Sequence, residues 1–383
     1  MRITHGWQDI FALCALLVLA GCGDSPDNGE REHTRAIMQE IFAGLRVALP
    51  ASADVATFGD PAKRETITAA LGLLTRNAST LERHARSKDA QLGFLARSIA
   101  SDAREIERAY TAGRYARSAY LLQQTVEHCI ACHTRLPVLA DSEVTAEFVE
   151  DGVFQDMPAE ARSSLLIATR RFDAALALLE QELVDPMHHI ATLLGPLTDY
   201  LVVSIRVKGD YARPRPVLAR IAAREDAWSQ LKLDIEGWLA ALPELERLAV
   251  REPSVATARA LVEEGDRLDA FPGDMSSRLH LIAASAVLER LIDAHDENDA
   301  ALGEAYYLLG VVEASIGRNY WVTPAPFLLA ESVRIAPHAP TAAQAYALLE
   351  RELLQSYEGS EHEELPPEDR EHLDSLQQLM QGS

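Results

Sequence analysis

Apolar positions recur at helical spacing through the first third of the chain. From Glu30 to Leu49, residues Met38, Ile41, Phe42, Leu45 and Leu49 fall on one face of a 3.6-residue period. Pro50 and the Ala-Ser-Ala-Asp stretch after it predict the end of that helix. A second helix is expected after Asp60-Pro61, since proline's missing N–H costs nothing in a first turn. It runs to about His84 and carries Ile67, Leu71, Leu74 and Leu81. A third spans about Lys88 to Tyr110, with Leu92, Leu95, Ile99 and Ile106. Gly113 breaks the pattern, a fourth runs from Arg114 to about His133, and Pro137 closes it. Short connections predict antiparallel neighbours, so the first and last of the four lie side by side.

The helical period continues over residues 145–360, with a boundary expected between Leu136 and Val144. Ala174, Leu178 and Pro186 form one weakly similar segment. Tyr306, Leu309 and Gly310, then Ala325, Leu329, Ser332 and Pro337, form another. These spacings resemble tetratricopeptide repeats, in which small residues let paired helices approach and a proline ends the unit. The second match needs an insertion near Asn319–Pro324, and a helical region without repeat register is the alternative. Gly209-Asp210-Tyr211-Ala212 has the form of an inter-helix turn, with Pro214 and Pro216 disturbing the helical pattern after it. Residues 361–383 form an acidic tail in which Pro366-Pro367-Glu368 opens a last short helix to Met380. Apolar residues make up 48% of the chain and aromatics only 6%, which agrees with an all-α fold: strands favour aromatic and β-branched residues. Trp228, Trp238 and Trp321 are expected in the core.

The N-terminus reads as an address. Arg2 precedes an apolar run from Ile10 to Ala20 that is too short to anchor in a bilayer. It ends in Leu19-Ala20-Gly21-Cys22, which resembles the lipobox of bacterial lipoproteins. That resemblance implies a signal peptide over residues 1–21, lipidation at Cys22 and a polar tether over residues 22–30. Gly23 after the lipidated cysteine implies the outer membrane, facing the periplasm. An ordinary secretory signal is the alternative.

The chain has four cysteines. Cys14 lies in the signal and Cys22 takes the lipid, which leaves the pair in Cys129-Ile130-Ala131-Cys132-His133. Two cysteines three apart on a helical turn suit thioether bonds to the two vinyl groups of one haem, and the adjacent histidine suits its iron. A zinc site would need a second ligand pair, and a redox dithiol would need a βαβ setting. The pattern predicts a single covalent haem c, in a compartment where such attachment takes place. Met187-His188-His189 invites a metal reading but has no partner ligands. His128, beside the motif, is expected to be exposed.

Over residues 31–140 the order of four helices with this motif at the end of the last resembles the class II cytochromes c, the family of cytochromes c′. The opening helix, Arg35-Ala36-Ile37-Met38-Gln39-Glu40, is similar too. The resemblance implies a four-helix bundle with His133 as proximal iron ligand and Met38 as candidate distal ligand. If Met38 fills core instead, the distal face is open to small gases. Arg35 is a solvated surface residue or a partner for a haem propionate.

The net charge of −22 excludes the basic surface that nucleic acid requires. The charge is unevenly spread: residues 22–140 hold 15 Lys and Arg against 14 Asp and Glu, residues 141–383 hold 20 against 43. The acidic half suits a basic partner, or simply keeps the protein soluble. The expectation is a lipid-anchored, one-haem electron carrier, not an enzyme, whose helical region docks a redox partner protein. Gas binding at an open haem, and a scaffold lipoprotein with an accessory haem, are the alternatives.

Overall fold

Ile37, Ile41, Leu45, Ala48 and Leu49 are buried along one side of the first helix, α1 (Pro26–Ser52), as the apolar stripe predicts. The computed structural model describes residues 26–85, 90–135, 154, 157–269, 274–296, 299–316, 324–357 and 365–382. The lipobox with Cys22, the expected boundary at 136–144 and Trp321 lie outside them. Among the described residues the fold is all-α, with no strand.

A one-turn helix α2 (Val55–Phe58) follows α1, then α3 (Arg64–Ala85), α4 (Ala90–Thr111) and α5 (Tyr115–His133). The long helices pack in sequence, α1 on α3, α3 on α4 and α4 on α5, and α5 returns to α1. Side chains fix their alternating directions. Thr34 Oγ1 lies 2.9 Å from His84 Nε2, joining the start of α1 to the end of α3. Thr75 Oγ1 donates to Ala103 O (3.1 Å) between α3 and α4, and Ser118 Oγ to Ile106 O (2.9 Å) between α4 and α5. Gln123 Nε2 donates to Ser52 O (2.8 Å), tying α5 to the far end of α1.

Two boundaries of α1 differ from expectation. The helix reaches back over residues 26–30, expected from the sequence to be tether. At the other end it passes through Pro50, because a proline in the last turn removes only one bond from an end already fraying. Ser52 Oγ then donates to Leu49 O (2.7 Å).

The remainder is a succession of helices: α6 (Ala159–Ala168), α7 (Phe172–Val184), α8 (Leu194–Leu201), α9 (Pro214–Ala222), α10 (Ser229–Ala249), α11 (Val255–Leu268), α12 (Arg278–Asp293), α13 (Gly303–Ile316), α14 (Ala325–Ile335), α15 (Pro340–Tyr357) and α16 (Pro367–Gln381). Pro214 opens α9 rather than disturbing it, since proline is pre-set for a first turn. The turn before it has Gly209 at φ 63°, and Asp210 Oδ1 accepts from Ala212 N (3.0 Å) and Arg213 N (2.9 Å). The small residues singled out near the C-terminus do meet. A Cβ on Gly310 would sit 2.7 Å from Leu329 Cδ2, and Ser332 Oγ donates to Gly303 O (2.7 Å) across α13 and α14. Trp238 is buried as expected, but Trp228 is 40% exposed. It sits at the N-terminal boundary of α10 in extended backbone, outside the helix face that packs inward.

The stretch Ile190–Val207 is long and apolar enough to cross a membrane by composition alone, yet 67% of it is buried in the protein core. It begins as a 3₁₀ turn, becomes α8 and ends as a wider π turn over Val202–Val207. One hydrophobic core runs from Ile37 through to Leu328 and so joins the two parts of the chain. A smaller core binds α14, α15 and α16 through Leu329, Val333, Leu349, Leu373 and Leu376. The acidic tail therefore ends in a docked helix.

Candidate functional site at the C-terminal end of α5

Cys129, Cys132 and His133 are spaced three and four apart on α5, so they share one face of its last turn and a half. Neither cysteine is in a disulfide. Cys129 is half-buried, and its Sγ lies 3.7 Å from the Thr125 carbonyl as a weak donor. Burial and the neighbouring Cys132 push the Cys129 thiol up to about 12, so it is held as S–H. His133 Nδ1 lies 2.6 Å from the backbone carbonyl of Ala168, at the end of α6. A carbonyl only accepts, so Nδ1 carries the proton and Nε2 keeps its lone pair. Burial, with the nearby Arg170 guanidinium, drops the imidazole to about 3 against the pull of that hydrogen bond. The ring is therefore neutral at physiological pH.

The chain's second part closes over this end. Residues 168–171 form the turn between α6 and α7 and sit on the motif. Arg170 is the one non-glycine residue with positive φ (60°) among the described residues. Its N–H bonds to Ile167 O (2.9 Å), and that of Arg171 to Leu166 O (2.8 Å). Phe154 packs its ring 6.2 Å from that of Phe42 on α1.

Comparison with protein-family models, with curated proteins and with solved structures finds no match to this chain.

The residues at this end of α5 fit a covalently held haem. They supply two reduced thiols at the required spacing and a neutral imidazole whose other nitrogen is committed to a carbonyl, the usual orientation of a metal-binding histidine. Among the described residues no three His, Cys, Asp or Glu side chains converge as an ion site. Met38 is half-buried and packs on the core. The Gln123–Ser52 bond sets the register of α1 against α5. Counting equal steps from it places Phe42 level with His133 and Met38 one turn nearer the N-terminus. Arg35 is exposed.

His128 is not exposed. It is buried at 2% exposure because Leu121, Thr125, His128 and Cys132 form one inward stripe of α5. Its Nε2 faces Asp102 Oδ2 of α4 at 3.5 Å, and neither ring nitrogen has a hydrogen bond. Burial lowers His128 to about 4 and raises Asp102 to about 6.

Beyond the motif, Arg135 enters a buried cluster. It pairs with Glu313 of α13 and lies 3.5 Å from Glu289 of α12, an ion pair without a hydrogen bond. Arg206, in the π turn, reaches Glu313 Oε1 at 2.8 Å and donates to Ser285 Oγ at 2.8 Å. Burial raises Glu289 to about 8 despite both arginines. Elsewhere, Met187 is 86% exposed, and His189 caps the following 3₁₀ turn through Ala191 N (3.2 Å). A groove of about 840 Å³ opens between α10 and α11, floored by Gly237, Ala241, Leu245 and Leu261 and edged by Glu244 and Glu264.

Three residues that the second part of the chain brings to α5 and α1 were missed in the sequence: Phe154 against Phe42, and Ala168 and Arg170 in the turn at His133. Ala168 acts through its backbone, which no residue type announces. Phe154 and Arg170 lie 21 and 37 residues past His133 and carry no motif.

Proposed function

We propose that this chain is a one-haem electron carrier of the bacterial envelope, held by lipid at Cys22. The observation that carries this reading is the His133 imidazole at the end of C-I-A-C-H, neutral and tied through Nδ1 to Ala168 O. That arrangement presents Nε2 as an iron ligand and fixes the plane of the ring. When bound, the haem supplies a one-electron couple and its absorbance. The chain's own residues do the rest. Cys129 and Cys132 hold the group by adding S–H across two vinyl bonds, so each sulfur gains a carbon, each thiol hydrogen goes to the other vinyl carbon, and nothing leaves. The surplus of acidic residues over 141–383 suits a basic redox partner by charge.

The test is direct. Protein purified from a host with a working haem-attachment system should gain the mass of one haem and show Soret absorbance. Cys129→Ser with Cys132→Ser should lose both. Unchanged mass in the native sequence would reject the reading.

A second reading follows from the register of α1 against α5. Counted from the Gln123–Ser52 bond, Phe42, which cannot ligate iron, falls nearer the level of His133 than Met38 does. If it covers the distal face, the iron has an open position for a small gas. Carbon monoxide would shift the ferrous spectrum in that case and leave it unmoved where Met38 ligates.

A further inference from the structure

The turn between α6 and α7 places two groups against His133, and they act on the iron in opposite senses. Ala168 O accepts the Nδ1–H at 2.6 Å. This makes the imidazole a stronger donor and favours the oxidised iron. Two residues later the backbone turns left-handed at Arg170 (φ 60°). A side chain other than glycine, asparagine or aspartate is strained there, yet an arginine occupies it. Arg170 is half-buried, and no carboxylate or hydrogen-bond acceptor among the described residues answers its guanidinium. Its charge acts instead on Cys132 and His133.

A partly desolvated cation without a counter-ion is costly and needs an anionic or electron-rich neighbour. Wholly or partly buried arginines elsewhere in the chain have an acceptor: Arg213 has Glu180 and Asp173, Arg224 has Asp226, Arg135 and Arg206 have Glu313, and Arg278 has the Thr198 hydroxyl. Arg170 sits instead two residues past the carbonyl that holds His133.

We infer that Arg170 is a positioning residue that sets the reduction potential of a haem at His133, its fixed positive charge favouring the reduced iron. The inference rests on the haem reading proposed for this site. The sign follows from electrostatics: reduction removes one positive charge from the iron centre, and a nearby cation stabilises the less positive state, more strongly where water is excluded.

The experiment compares the midpoint potential of the full-length, haem-loaded protein with those of three variants. Arg170→Asn removes the charge and suits the left-handed backbone, Arg170→Lys keeps the charge, and Arg220→Gln removes an exposed charge on α9. At a fixed applied potential, Arg170→Asn should move the oxidised-to-reduced ratio three- to tenfold toward oxidised, a tenfold change being ~59 mV for one electron. Arg170→Lys should restore most of the shift, and Arg220→Gln should leave the ratio alone. An Arg170→Asn ratio no different from that of Arg220→Gln overturns the inference while the haem reading stands. Equal shifts for Asn and Lys overturn it too, since the effect is then one of shape. Should the native protein carry no haem, both readings fall together.

Discussion

His133 commits one ring nitrogen to the backbone of a helix 35 residues further on, and that commitment determines which nitrogen is left for chemistry. His133→Ala should keep haem attached through both thioethers but change its visible spectrum, because the axial ligand is gone while the covalent bonds are not. The distal side is decided by a pair of variants. If Met38 is the sixth ligand, ferrous Met38→Ala becomes high-spin and binds carbon monoxide, whereas Phe42→Ala stays low-spin. At this scale the motif was legible in the sequence, because it is five consecutive residues, and the structure adds that its two thiols are free and share a helix face with His133. The supporting part was not. Ala168 contributes a carbonyl, and a carbonyl is the same in every residue type. His128 was a different failure: the stripe 121, 125, 128, 132 was present in the sequence and showed that the side chain points inward.

Helix extents were readable within a few residues from the apolar period, because each long helix buries one continuous face. The exceptions are the prolines. Pro50 sits in the last turn of α1, where only one bond is lost and the helix ends two residues later, and Pro214 opens a helix, where its missing N–H had no partner. Crossing points were less legible. Gly44 lies where α1 meets α3, and a Cβ there would stand 2.8 Å from the Ala70 backbone carbonyl oxygen. Replacing glycine by alanine inside a helix gains about 1 kcal/mol of propensity. Forcing two backbones apart costs about 1–3 kcal/mol, and a carbonyl cannot rotate aside as a side chain can. Gly44→Ala should therefore destabilise the protein, read as a lower denaturant midpoint. Gly310 faces the flexible Leu329 side chain, so Gly310→Ala should cost less in the same assay.

Across the whole molecule, the two parts of the chain share one set of packed side chains. The core is continuous, Phe94 of α4 stacks on Phe327 of α14 with ring centroids 5.1 Å apart, and Arg135 is buried among acids of α12 and α13. Long-range packing of this kind leaves no periodic trace, so these contacts could not be read from the sequence pattern. The buried cluster carries a pH signature. Glu289 is raised from the ordinary 4.5 to about 8, so the folded state holds a proton that the unfolded chain releases. Stability should fall as pH rises from about 4.5 to 8. Glu289→Gln should flatten that slope, as measured by denaturant midpoints across the range.

The capping of His133 by Ala168 makes one half of the polypeptide answerable to the other. The tautomer of a side chain at the end of α5 is chosen by a carbonyl at the end of α6, so a lesion that loosens α6 is felt at an imidazole far back along the chain. The downstream helices are in this sense a latch on that ring.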